Sequence, residues 1–149
     1  MNESLPRLLL VSQLAATLFL TGVIWFVQVV HYPLFASTGG AEFRAFERRH
    51  RALTTWVVAP SMLAEGVCAM LLFWLRPSHL TVWQLVPGLL LLIAIWASTA
   101  FVQIPCHERL SRGFDVAAHR RLVRTNWVRT AAWSARGVLA VWLVWLAPN

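Results

Sequence analysis

DVAAHRRLVRTNWVRTAAWSARGVLAVWLVWLA, residues 115–147, decides the fold. It reads as one helix whose polar residues fall into register. His119, Asn126 and Trp133 follow one another at intervals of seven, and so do Arg129 and Arg136. Steps of three, four and seven return to the same side of a helix. One face therefore carries His119, Asn126, Arg129, Trp133 and Arg136, while Val128, Leu139, Val141, Leu143 and Val144 leave the other faces apolar. Arginines within an apolar helix are costly in lipid, so this face must turn toward protein or a water-filled cavity. The rest of the chain has to supply that interior.

Three further apolar runs do so, at residues 8–30, 52–75 and 80–102, with the fourth at 127–147. Each is long enough to cross a hydrocarbon core of about 30 Å. Residues 42–51 (EFRAFERRHR) and 115–124 (DVAAHRRLVR) read as helical extensions beyond the apolar runs. Tyr32-Pro33 and Gly39-Gly40 mark the first connection, Arg76-Pro77-Ser78 the second and Ser111-Arg112-Gly113 the third. Asp115 is placed for a helix start, where a carboxylate is favourable. Pro60, Pro87 and Pro105 are expected to kink their helices. Short connections join antiparallel neighbours, so the expected fold is all-α, a single four-helix transmembrane bundle over residues 1–149, up-down-up-down. No internal repeat stands out.

Composition agrees. Of 149 residues, 58% are apolar and 13% charged, against roughly 25% charged in a soluble domain. The net charge of +7 comes from arginines at the ends of apolar runs, a membrane-orientation pattern rather than a nucleic-acid-binding one. The first and third connections with their helix extensions hold most of the arginines; Arg7 and Arg76 lie on the opposite side. The expectation is an integral protein of a bacterial inner membrane, basic loops cytoplasmic and both termini outside. The first apolar run is too long for a signal peptide and is read as a retained helix. Cys68 and Cys106 lie in different runs and suggest neither a disulfide framework nor a CxxC metal site.

Each run carries one polar seam. The first has Thr17, Thr21, Gln28 and His31. The second has Glu47, His50, Thr54, Ser61 and Glu65, and the third has Trp96, Thr99, Gln103 and His107. In lipid such seams meet in the middle. Counting from the turns at 1.5 Å per residue puts Glu65 level with Arg136, and an ion pair between them is expected, with Arg129 the second choice for Glu65. His31, Glu47, His50, His107 and His119 all lie near the basic turns. A single metal held by His31, Glu47, His50 and His107 is chemically reasonable, because imidazole and carboxylate suit iron, copper or zinc. A haem between two histidines is the other option. Glu47-x-x-His50 has the di-metal bundle spacing, but no second such pair exists. His79 falls at the far end and is left out. Gln28, Gln103, Asn126 and Arg129 are donors able to orient a carbonyl or an oxyanion. Trp25, Trp96, Trp127 and Trp133 are expected to lie deep, lining a pocket for a flat lipophilic molecule or filling space. Trp74, Trp83, Trp142 and Trp145 are expected as interfacial anchors.

The segment Gln103-Ile-Pro-Cys-His-Glu-Arg-Leu110 followed by Asn126-Trp-Val-Arg-Thr130 resembles the anthrone-oxygenase-like family of small four-helix membrane proteins. The matching positions are Pro105, His107, Leu110, Asn126, Arg129 and Thr130; His107 stands where Asn is common in that family. The resemblance implies the same fold and an oxidoreductase, in the fungal members an oxygenase that converts polyketide anthrones to anthraquinones with dioxygen. Read on this chain, Asn126 and Arg129 would hold the developing oxyanion, Gln28, Gln103 and Trp133 would hold the lipophilic aromatic or quinone-like molecule, and the histidines would bind metal. Two other classes fit the same seam: a haem- or quinone-binding electron-transfer module, as a homo-oligomer or a subunit of a larger membrane complex, and a structural or transport subunit.

Overall fold

A computed structural model describes residues 3–38, 40 and 42–146. Among these the chain is helical throughout, without strands, and forms four long helices. Helix α1 is Ser4–Ser37, α2 is Phe43–Trp74, α3 is Val82–Leu110 and α4 is Val116–Trp145. Helices α1, α2 and α3 are long and apolar enough to cross a membrane. The fourth run, expected to match them, is long enough but falls short in hydropathy. Arg129, Ser134 and Arg136 interrupt it, and it buries both arginines against its neighbours.

Local chemistry sets the ends. Asp115 is extended (φ −114°, ψ 113°), and its carboxylate accepts the Ala118 N–H at 2.9 Å, capping α4. That hydrogen bond, reinforced by Arg109, holds the Asp115 carboxyl below its ordinary value. The turn before it needs Gly113, whose φ of 149° is one that residues with a Cβ rarely adopt. Thr81 caps α3, its N–H bonding the Gln84 side chain at 2.7 Å in a reciprocal capping box. At the end of α2, Arg76 donates to the Phe73 carbonyl.

Tyr32-Pro33 does not turn the chain. The helix runs through it to Leu34 and tightens into a 3₁₀ turn at Phe35–Ser37. Gly39 lies outside the described residues. A proline ring inside a helix collides with the carbonyl four residues back and removes a hydrogen bond. Here a π-turn at Val27–His31 widens the coil just before Pro33, the Tyr32 N–H reaching back to the Val27 carbonyl. The same device recurs in α3, where a π-turn at Thr99–Gln103 precedes Pro105 and the helix carries on to Leu110. Both π-turns end two residues before their proline, a structural echo between the halves that the residues alone did not display.

Helix α1 packs on α2 and α4, and α3 packs mainly on α4. One apolar core gathers Leu20, Ile24, Phe35, Leu122 and Trp133, and a second, at the other end, Leu10, Leu72, Leu80, Leu85 and Leu143. Cys68 and Cys106 are free and buried, as small packing residues.

Candidate functional site

The polar seams meet in three connected tiers. In the first, Glu65 and Arg136 form the expected ion pair, Nε to Oε1 at 2.7 Å, both side chains essentially inaccessible. Thr17 donates to Glu65 Oε1 at 2.6 Å and Trp133 Nε1 to Oε2 at 3.2 Å, while Arg136 also donates to the Gly88 carbonyl. A buried charge pair is tolerable only when its remaining lone pairs and protons are met, and these partners meet most of them.

The middle tier holds Arg129. Its guanidinium lies 5.1 Å from the centre of the Trp133 ring, a cation–π contact, and donates to Asn126 Oδ1 at 3.2 Å. Asn126 in turn donates to Gln28 Oε1 at 2.9 Å, and Gln28 to the Val123 carbonyl. Gln103 donates to Thr125 Oγ1 at 3.2 Å; Thr125 gives its own proton to the Arg121 carbonyl, which fixes the Gln103 amide with Oε1 left as a buried acceptor. Arg129 Nε is likewise buried without a partner.

The third tier is the imidazole cluster. Glu47 Oε1 and His107 Nδ1 are 2.7 Å apart, His107 Nε2 and the Tyr32 hydroxyl 3.0 Å, and His31 Nε2 and His50 Nδ1 2.8 Å. Thr54 Oγ1 lies 3.1 Å from the same His50 nitrogen. One ligand atom each from Glu47, His50 and His107 falls within 4.8 Å of the others. Glu47 is wholly buried, and its Oε2 has no partner. His31 stands behind His50, outside this three-residue group. His119 bonds the Tyr32 carbonyl at 2.8 Å and supports the α1 backbone instead. Phe35, fully buried, is the hub of the rings, with His31 and His50 set edge-on to it at 5.2 and 5.0 Å.

A cavity of about 330 Å³ joins the lower two tiers; Tyr32, His50, Gln103, His107, Arg129 and Trp133 are in its wall. Gln28 and Asn126 brace it from behind rather than line it. Across Val23, Val27 and His50 lies a larger groove of about 930 Å³ between α1 and α2, and those residues border both spaces. The π-turns place this site. They carry the helices past Pro33 and Pro105, so that Tyr32 reaches inward where a turn was expected and His107 where a kink was.

Sequence reasoning missed Tyr32 and Phe35, both assigned to that turn. Proline two residues after a polar residue at a helix end was the available signal. It also misplaced three tryptophans: Trp25, Trp96 and Trp127 face outward, Trp25 and Trp127 edge-to-face at 5.7 Å, and only Trp133 of the four is buried. No family model matches the chain, and neither the curated proteins nor the solved structures yield a match.

Proposed function

We propose that the protein is an integral membrane oxidoreductase with a single metal ion at Glu47, His50 and His107, acting on a lipophilic aromatic substrate in the adjoining cavity. The four helices form an up-down-up-down transmembrane bundle, with the basic connections in the cytoplasm and both termini outside. The apolar lengths of α1, α2 and α3 and the arginine distribution support that placement.

The observation that carries the reading is the bare Oε2 of Glu47, wholly buried behind two imidazoles, His50 and His107, that line a ligand-sized cavity. Mutual bonding accounts for most of the Glu65–Arg136 and Gln28–Asn126–Arg129 tiers as helix glue, leaving one guanidinium nitrogen over in each, Arg136 Nη2 and Arg129 Nε. It does not explain a carboxylate oxygen left dry, which costs stability unless something binds it. Two histidines and a carboxylate leave open coordination positions, the set that suits non-haem iron, with copper the next candidate. Ligand atoms within 4.8 Å of one another have to draw in to the roughly 3.0–3.5 Å separations that metal–ligand bonds of about 2.0–2.2 Å impose. Haem fits less well. The His31 and His50 ring centres are 4.6 Å apart and those of His50 and His107 5.5 Å, which leaves no slab for a porphyrin between them.

The bound ion would supply redox chemistry with dioxygen as the oxidant. The chain's own groups do the rest. Trp133 offers a flat wall, Arg129 Nε–H meets an oxygen that becomes anionic, Asn126 holds Arg129 in place, and Gln103 Oε1 accepts a substrate hydroxyl proton. Following the resemblance at Pro105, His107, Leu110, Asn126, Arg129 and Thr130, the reaction class is oxidation of an activated ring CH₂ to a carbonyl. One oxygen atom of O₂ enters the product and the other leaves as water with both hydrogens.

Elemental analysis and an absorption spectrum of protein purified from membranes in mild detergent test this. One ion per chain is expected, lost in Glu47→Ala and His107→Ala, retained in His79→Ala, together with substrate-dependent oxygen consumption. Metal-free wild type, or a Soret band, would overturn it.

A further inference from the structure

The α1–α2 groove has one cation at its rim. Arg49 is exposed, lines the groove and has no ion-pair or hydrogen-bond partner among the described residues. The walls are otherwise apolar, with Phe19, Phe26, Leu53 and Val57 exposed along them. On α2 the lining runs from Phe46 to Val58, about 18 Å at 1.5 Å per residue. The floor near Arg49 is polar: His31, His50 and Thr54 all border the groove. A Cβ built on Gly22, which also lines it, meets nothing within 4 Å. The opening at that level thus depends on the missing side chain.

We propose that this groove is a lateral binding site for a lipophilic carboxylic acid, seated with its carboxylate on Arg49 and its apolar body between α1 and α2. It rests on the reading above, in which these helices span the bilayer and the cavity behind His50 is the reacting site. A guanidinium at the mouth of an apolar groove is complementary to an amphiphile with one anionic head, and the charge-assisted bond is a strong one. The polar floor favours a free acid over the bilayer's own phospholipid. The His31–His50 and Thr54–His50 bonds leave one ring nitrogen of each histidine over, and a phospholipid tail would lay methylenes against those nitrogens, which is costly. An acid bearing a hydroxyl or keto group about one helical turn (roughly 5 Å) beyond its head meets them. The shared wall of Val23, Val27 and His50 then makes the groove the substrate's way in from the membrane.

The probe is pyrenedodecanoic acid carrying a hydroxyl group on carbon 5, with its methyl ester as the uncharged control, read by energy transfer from tryptophan in phosphatidylcholine nanodiscs. Metal-free protein is used, so that binding is scored apart from catalysis. Saturable binding of the acid is expected, with Arg49→Gln weakening it about tenfold or more, to the level of the ester. Gly22→Phe should abolish binding with helicity and melting unchanged, since the added ring occupies open groove. Leu53→Trp should weaken binding from the opposite wall. Equal binding of acid and ester to wild type, or undiminished binding in Gly22→Phe, overturns the proposal. So does displacement of the probe by phosphatidylglycerol as effectively as by 5-hydroxydodecanoic acid, which would assign the groove to bilayer lipid. Binding that persists in a protein without metal or oxygen consumption leaves the groove standing and removes only the oxidoreductase reading.

Discussion

Replacing Glu65 by Ala tests the ion-pair tier. The substitution removes the carboxylate that meets Arg136 Nε at 2.7 Å, Thr17 at 2.6 Å and Trp133 at 3.2 Å. Arg136, only 2% exposed, then keeps the Gly88 carbonyl alone. Breaking one side of a buried pair costs about 3–5 kcal/mol, because the survivor stays charged and dry. Side-chain hydrogen bonds between membrane helices average about 0.6 kcal/mol each, so Thr17 and Trp133 add about 1 kcal/mol. Some of this is recovered as water reaches Arg136, and the expected net loss is about 4 kcal/mol. For a chain of this size that corresponds to a melting point lower by about 10 °C. The assay is reversible unfolding in mixed micelles, followed by helicity, with Arg136→Leu and the double variant Glu65→Leu/Arg136→Leu completing a cycle. The double variant should recover most of the loss, since two well-packed apolar groups replace an ion pair at little cost. A Glu65→Ala protein within about 1 kcal/mol of wild type, or a double variant no better than the single ones, would refute the reasoning.

Asp115 gives a pH-dependent counterpart outside the membrane-spanning segments. Its carboxyl is held below the ordinary value of 3.8, first by the Ala118 N–H and then by Arg109. A depressed folded pKa means that the stabilisation is complete above the unfolded value and is lost as pH falls through the folded one. Melting of Asp115→Asn should therefore lie below wild type at neutral pH, with the gap closing as pH drops under 3.8; a gap that does not change with pH contradicts the assignment. Gly113→Ala places a Cβ at φ 149°, and a melting-point loss equivalent to about 1–2 kcal/mol is expected. Asn126→Leu removes the bridge between Gln28 and Arg129. On the proposed function it should raise KM for the lipophilic substrate and lower kcat while leaving the metal content expected at Glu47, His50 and His107 unchanged.

The helices and the ion pair were legible because they follow from counting. Apolar length places the spans, a spacing of seven defines the α4 face, and 1.5 Å per residue brings Glu65 level with Arg136. The chemistry at the helix starts was legible at Asp115, whose type and position agree, but the Thr81–Gln84 box went unread. The fourth helix was the exception to the counting. Its arginines lower its hydropathy, but it buries Arg129 against Asn126 and Trp133 and Arg136 against Glu65, so a criterion made for a helix surrounded by lipid undervalues it.

The cluster was legible in Glu47, His50 and His107 and illegible in its scaffold, and the failure comes from the prolines. Proline is ordinarily a stop, so Pro33 was read as ending α1, and Tyr32 and Phe35 were assigned to a connection. A π-turn is not written in residue preferences. It arises where packing on both sides holds the helix together past the proline, as Phe35 does against the imidazoles and Leu110 against the core. The outward tryptophans fail for a related reason. Depth along an axis and direction around it are separate coordinates. Position in the run supplied the first for Trp25, Trp96 and Trp127, and the second was left to an assumption that large rings turn inward. Trp25 shows why that is unsafe: its Nε1 donates to Ser134 Oγ at 3.0 Å while 44% of the residue stays exposed. An outward ring can satisfy its one polar atom against a neighbouring helix. The histidines escape this ambiguity because Glu47, His107, Tyr32 and His50 bond or face one another, and polar edges within an apolar bundle have few other places to go.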